Sequence, residues 1–422
     1  MRIDMISEHA SPLATLGGAD AGGQNVHVAA LAAVLGRRGH QVRVYTRRDD
    51  PGLADSVVLA PGVTVEHVRA GPVGPLPKDA LLEHMPEFAE RLAQRWSAGP
   101  PDVAHAHFWM SGLAAVTAAA ARGVPVVHTF HALGSVKRRC QPGADTSPPE
   151  RVRVEQAVGR RADAVIATCT DEVRELAAYG IPDSRIYVVP CGVDTAHFGP
   201  PAAGWRSPEG ARRWSGGALR IVTIGRLVRR KGVDTVIAAL AGVPGAELIV
   251  AGGPPAGQLA GDAEARRLRD VAEAHGVARR VRFTGQVAHQ NVPALLRSAD
   301  LVVSDPWYEP FGIVPLEAMA CGTPVVVSAV GGHLDTVADG RTGLLVPPRD
   351  PAALAAALRG LLADPGRRAA MGAAGTERVR RRYRWGRIAE ETLAVYERVA
   401  APPRATSPPL AAGTVVQKGT RS

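Results

Sequence analysis

Aromatic residues make up only 4% of the chain. So sparse a supply does not furnish the stacking platforms on which single-stranded nucleic acids lie. Cysteine is also scarce: Cys140, Cys169, Cys191 and Cys321 are scattered, with no C-x-x-C spacing. That pattern argues against a structural zinc site or a disulfide framework and for reduced thiols. No apolar run approaches the roughly 18 residues of a membrane span. The N-terminal MRIDMISEHASPL sets Asp4 and Glu8 where a secretory signal would be apolar, so a cytoplasmic protein is expected. Three short motifs are missing too. G-x-G-x-x-G does not occur after the first strand-like run, and Arg47 and Arg48 stand where a dinucleotide fold wants a carboxylate. The phosphate loop of nucleotide hydrolases is absent, and so is any D-x-D that would hold a divalent cation on a diphosphate.

What is present is length and apolar bulk. The 422 residues, 46% of them apolar, exceed one hydrophobic core and suggest two domains. The formal charge of +10 favours acidic partners: nucleic acid, an anionic membrane surface or phosphorylated small molecules. Part of the excess sits in helical stretches such as ERVRRRYRWGR (377–387), read as a solvated face. No helix-turn-helix or base-reading stripe accompanies it.

Short β-branched runs alternate with Ala/Leu-rich amphipathic stretches, the pattern of parallel strands covered by helices. In the first half the runs fall at 2–7, 41–46, 102–108, 124–130, 164–169 and 185–190, with the helix NVHVAALAAVLGRRG stopping at Gly39. The alternation restarts at 219–225, 247–253, 280–285, 300–305, 323–329 and 342–348. An α/β architecture of two facing Rossmann-like, doubly wound domains follows, with the ligand cleft between them at the carboxyl ends of the strands. The divisions are 1–198, a Gly/Pro-rich linker 199–217, a second domain 218–383, a helix 384–400 returning to the first domain, and a disordered tail 401–422.

Three segments carry chemistry. GGADAGGQNVHV (17–28) joins the first strand to its helix, where free N–H groups favour an anion. GRLVRRKGVD (225–234) places Arg226 at a strand end and Lys231 at a helix start, two cations suited to a diphosphate. EPFGIVPLEAMACG (309–322) begins another helix at Gly312, with Pro315 in its first turn and two carboxylates, Glu309 and Glu317. Carboxylates beside an anion must face hydroxyls, and a nucleoside diphosphate sugar has them at both ends. Acid–base work on a glycosidic bond stays open as their alternative use. Histidines gather at HAHFWMSG (105–112) and HTFHALG (128–134) without metal-ligand spacing, and His131 ends a strand so as to reach the cleft.

Together AGGQNVHV, TFHALG, GRLVRRKG, EPFGIVPLE and ACGTPVVVSAVGGHLDTVADGRTGLLVPPRD resemble glycosyltransferase family 4 over residues 1 to 399. This retaining group of GT-B fold includes mycothiol glycosyltransferases and sucrose-phosphate synthases. The resemblance implies a retaining transferase that moves a hexose or N-acetylhexosamine from a nucleotide sugar, a UDP-sugar by expectation, to a small polar acceptor. It implies a donor site of Gly22, Gly23, Arg226, Lys231, Glu309, Phe311, Gly312, Ile313 and Glu317, with the ribose on Glu317. His131, Arg226, Lys231 and Glu309 would act on the reacting groups, the leaving phosphate itself taking the acceptor proton. His9, Asp20, Asn25, Lys78, Phe108 and Arg151 would meet the acceptor, although the mycothiol enzymes typically carry Tyr at the place of Phe108 and Thr at that of Ala132. The basic residues of that side favour an anionic or phosphorylated acceptor. No cofactor or metal, no nucleic acid and no stable membrane insertion are implied. A lipid-linked acceptor at a membrane surface and a nucleotide-sugar epimerase remain alternatives.

Overall fold

The computed structural model describes residues 1–14, 22–143, 145–201 and 218–401. Asp20, the linker from 202 to 217 and the tail from 402 lie outside the described residues. The first half builds an eight-stranded sheet from β1 (Arg2–Ile6), β2 (Gln41–Arg47), β3 (Ser56–Ala60), β4 (Val63–Val68), β5 (Val103–His107), β6 (Val126–Thr129), β7 (Ala164–Ala167) and β8 (Ile186–Val188). Their spatial order is β3-β4-β2-β1-β5-β6-β7-β8, parallel throughout except for β3 against β4. The second half builds a wholly parallel sheet from β9 (Leu219–Ile224), β10 (Ala246–Ala251), β11 (Val281–Gly285), β12 (Leu301–Ser304), β13 (Val325–Ser328) and β14 (Gly343–Val346), in the order β11-β10-β9-β12-β13-β14.

Helices cover both faces, so central strands such as β6, β7 and β10 are buried along their whole length. Glu247 is tolerated inside β10 because Arg220 of β9 bonds it at 2.7 Å. The doubly wound α/β architecture read from the alternation is the one present. Strand order reverses at β1 in one sheet and at β9 in the other. Each reversal opens a crevice beyond the carboxyl end of the strand.

Two features depart from the sequence reading. The hairpin β3–β4, turned by Pro61 and Gly62, widens the first sheet where no strand is expected. The stretch 377–387 is not one helix: Pro365–Arg382 ends and Trp385–Ala400 begins across Tyr383 and Arg384, although Arg380, Arg381 and Arg382 are exposed as expected. Trp385, Ile388, Leu393 and Tyr396 of the last helix pack with Ile3, Met5, Val28 and Leu31 of the first domain.

Candidate functional site

The two crevices face each other across one cleft of about 640 Å³. From the first domain it is lined by the loop after β1, the start of the helix Gly23–Arg37, and the ends of β5 and β6; from the second, by the loops after β9 and β12. The domains touch closely here. A β-carbon at Gly23 would lie 3.2 Å from Ile313 Cδ1, so any larger residue would press that side chain aside where the helix start approaches the opposite helix, Ile313–Ala320.

Arg226, Arg230 and Lys231 stand on the loop after β9. The turn that presents them closes at Gly232, with φ of 66°, where a β-carbon would meet the Asp305 carbonyl oxygen at 1.8 Å. Lys231 Nζ lies 2.5 Å from Glu309 Oε2, an ion pair joining two segments that the sequence reading assigned separately to phosphate and sugar. Burial works against charge on Glu309, yet Lys231, His333 and Arg230 overcome it and hold the carboxyl at about 2. Burial also lowers Lys231, with Glu309 opposing it. Arg226 is exposed, and its side chain has no hydrogen bond or ion pair among the described residues. Glu317, half-buried in the cleft wall with no cation beside it, is pushed up to about 8 by burial alone.

Gly22 and Asn25 turn inward. The Gly22 N–H donates to Asn25 Oδ1 at 3.1 Å and Asn25 Nδ2 donates to the Ser11 carbonyl at 3.0 Å, so the amide spends both ends on the backbone while lining the cleft. His9, Lys78, Phe108 and Arg151 gather at the first-domain end. Glu8 Oε1 lies 2.7 Å from His9 Nδ1, and its other oxygen accepts from Ser111 Oγ. Burial opposes charge on Glu8, but His9, Ser111 and Lys78 outweigh it and bring the carboxyl below its usual range. Lys78 Nζ sits 3.7 Å from the centre of the Phe108 ring, a cation–π contact. Arg151 bonds Glu155 at 2.7 Å and the Ala132 carbonyl at 2.6 Å.

His131 follows β6, 5.4 Å from the Phe311 ring and 2.9 Å from His107 Nδ1 through its own Nε2. Behind it lie His27, His105 and His128. Burial first, and mutual repulsion second, keep His105, His107 and His131 well below the usual imidazolium range. Among the described residues no group of three or more His, Cys, Asp or Glu side chains is arranged to hold a metal ion.

The expected site residues therefore line one cleft, apart from Gly312, which caps the helix Ile313–Ala320 behind that wall, and Asp20, which is not described. The sequence reading passed over Arg230, next to Lys231 in the same motif, and His333, in the GGHLDT segment, whose Nδ1 bonds the Ser328 carbonyl at 2.9 Å beneath the Glu309 loop. It also missed the strut between domains. Thr170 donates to Asp335 through its N–H (2.5 Å) and hydroxyl (2.7 Å), Thr168 Oγ1 reaches the Pro310 carbonyl at 3.4 Å, and Tyr308 packs on the first domain's core.

Two facing doubly wound sheets, with cations and carboxylates gathered at the switch point of the second, form the GT-B architecture of nucleotide-sugar glycosyltransferases. Residues 21–197 match the family described as Glycosyltransferase Family 4, and residues 211–378 that described as Glycosyl transferases group 1. A D-inositol 3-phosphate glycosyltransferase of Acidothermus cellulolyticus is 39% identical over 411 residues, covering 94% of this chain and 90% of its own. One from Nocardiopsis dassonvillei is 38% identical over 412 residues, covering 95% of each. The structure of sucrose-phosphate synthase from Thermosynechococcus elongatus superposes with a TM-score of 0.84 at 33% identity, covering 94% of this chain and 99% of that one. The chain belongs to glycosyltransferase family 4. No helix among the described residues is long and apolar enough to cross a membrane.

Proposed function

We propose that the protein transfers a hexose or N-acetylhexosamine, with retention, from a UDP-sugar to a phosphorylated polyol of the inositol phosphate class, without a metal ion. The observation that carries this reading is the set of Arg226, Arg230 and Lys231 around Glu309. Three cations against one carboxylate leave two positive charges, a match for the about two negative charges of a sugar-linked diphosphate. As the glycosidic bond breaks, charge grows on the departing phosphate, and cations already fixed in place stabilise it without reorganising. Glu309 accepts from sugar hydroxyls and Glu317 from the ribose. The acceptor enters at the first-domain end, where Lys78, Lys137 and Arg151 line the cleft. Its proton passes to the leaving phosphate oxygen on the same face. A phosphorylated acceptor agrees with the names of the two inositol 3-phosphate relatives.

The test is a matrix of UDP-, GDP- and ADP-linked glucose and N-acetylglucosamine against inositol phosphate and free inositol, with and without chelator. Products are read by mass spectrometry and by the anomeric coupling in NMR. The expected result is an α-linked product from a UDP-sugar, faster with the phosphorylated acceptor and unchanged by chelator. Equal rates with both acceptors, an inverted product or conversion of the donor without any acceptor would each overturn the corresponding part.

A further inference from the structure

Two residues other than glycine hold left-handed backbones at the cleft wall. Phe108, with φ of 80°, follows β5, and His131, with φ of 62°, follows the neighbouring strand β6. A β-carbon crowds the backbone in this region, so such a residue persists only where its surroundings over-determine it. The surroundings here are specific. Phe108 N donates to the Thr129 carbonyl at 2.9 Å, tying the two strand ends through the backbone. A second tie runs through side chains: His107, just before Phe108, faces His131 with Nδ1 and Nε2 at 2.9 Å and the rings nearly stacked at 29°. Each neutral imidazole carries one N–H, so one proton serves the two facing nitrogens. The remaining atoms, His107 Nε2 and His131 Nδ1, are buried without partners among the described residues. Whichever proton arrangement His107 adopts thus decides whether His131 Nδ1 is a donor or a bare lone pair. Behind His107 the His105 ring stands 4.0 Å away, locked by the Tyr396 hydroxyl at 2.6 Å and Thr129 Oγ1 at 2.9 Å, which leaves His107 little room to turn.

From this arrangement we infer that His107 is a positioning residue for sugar transfer: it fixes the ring orientation and tautomer of His131 and clamps the paired left-handed turns that present His131 and Phe108 to the substrates. The inference rests on the transfer reaction proposed above. It assigns a task to a buried histidine that the reaction does not touch.

Three measurements on the full chain test it. His107→Leu removes the clamp, and kcat at saturating donor and acceptor falls on the order of tenfold to a hundredfold, the range for a misplacement of about 1 Å. The donor KM stays within about threefold, the sign of an interaction made in the transition state. His107→Asn keeps an amide atom near the place of Nδ1 able to donate or accept, and restores kcat to within about fivefold of wild type. A leucine variant that folds and keeps its kcat, or an asparagine variant no better than leucine, overturns the inference. Should the leucine variant fail to fold, nitrogen NMR on histidine-labelled wild-type protein decides. His131 must show one neutral tautomer from about pH 5.5 to 8, across the unperturbed imidazole range, and tautomer averaging or protonation there overturns the inference. If wild-type protein transfers no sugar, the proposed reaction fails while the NMR result still judges the clamp; if it transfers and the substitutions change nothing, the clamp alone fails.

Discussion

Replacing Lys231 by alanine separates two tasks that its ion pair with Glu309 entangles. The first task is electrostatic support of the fold. The cations around Glu309 hold its carboxyl at about 2, against 4.5 unperturbed, a gap on the order of 3 kcal/mol by linkage. That stability is present above about pH 4.5 and lost as pH falls through 2; Arg230 and His333 supply part of it and the burial of Lys231 offsets part, so the alanine variant melts lower at pH 7 by less than this gap, and its deficit shrinks as pH falls. The second task is stabilising the leaving diphosphate, where one fixed cation contributes about 2 to 4 kcal/mol in the transition state. At 1.36 kcal/mol per factor of ten this is about 30- to 900-fold in rate, and a loss near a hundredfold is expected. The assay is release of nucleoside diphosphate at saturating donor. A double-mutant cycle with Glu309→Gln tells the tasks apart. If the lysine only neutralises the glutamate, Lys231→Ala costs nothing further once Glu309 is neutral; if it acts on the diphosphate, the hundredfold persists. Turnover within about threefold of wild type at saturating donor would remove Lys231 from the mechanism and refute the reasoning.

The architecture was legible because a strand buried on both faces leaves a short β-branched run near a Gly or Pro, as VVHT of β6 does after Pro125 and LVVS of β12 does two residues before Pro306. The β3–β4 hairpin escaped for the converse reason: β3 is a sheet edge with Val58 75% exposed, and no helix follows it to mark the crossover. Pro61-Gly62 between two Val-rich runs was its available signal. Motif residues could be found because loops at strand ends collect them consecutively. Their partners could not, because pairing is a property of the closed fold. Lys231 and Glu309 lie 78 residues apart and Thr170 and Asp335 lie 165 apart, so no local pattern connects them. The His107–His131 bond is intermediate. Alternation placed both residues at the ends of strands, but that β5 and β6 are neighbours in register was visible only in the sheet.

Glu317, pushed up to about 8 by burial, is protonated at pH 7 in the empty cleft, and the protein loses that contribution to stability as pH climbs from about 4.5 through 8. Ribose hydroxyls favour its charged form, so nucleotide binding releases a proton and tightens toward pH 8. Calorimetry in two buffers of different ionisation heat measures this, and no proton release at pH 7 would take Glu317 off the ribose. Asp335 poses a different question, since its carboxylate caps the helix Thr170–Ala178 from the opposite domain while Arg378 at 2.5 Å and Tyr383 at 2.8 Å hold its carbonyl. A cap is worth about 1 kcal/mol and a charge-assisted bond about 1.5 to 3. Asp335→Ala should therefore weaken closure by about 2 kcal/mol, roughly a 30-fold shift towards open forms. Because Pro310 and Tyr308 lie on the same side of the strut, the Glu309 loop loses its rest against the first domain when the strut goes. X-ray scattering should show a larger radius of gyration for the empty variant, with a donor KM raised in proportion. An unchanged scattering curve together with an unchanged KM would mean that packing holds the domains together and that the Thr170–Asp335 bonds contribute nothing to closure.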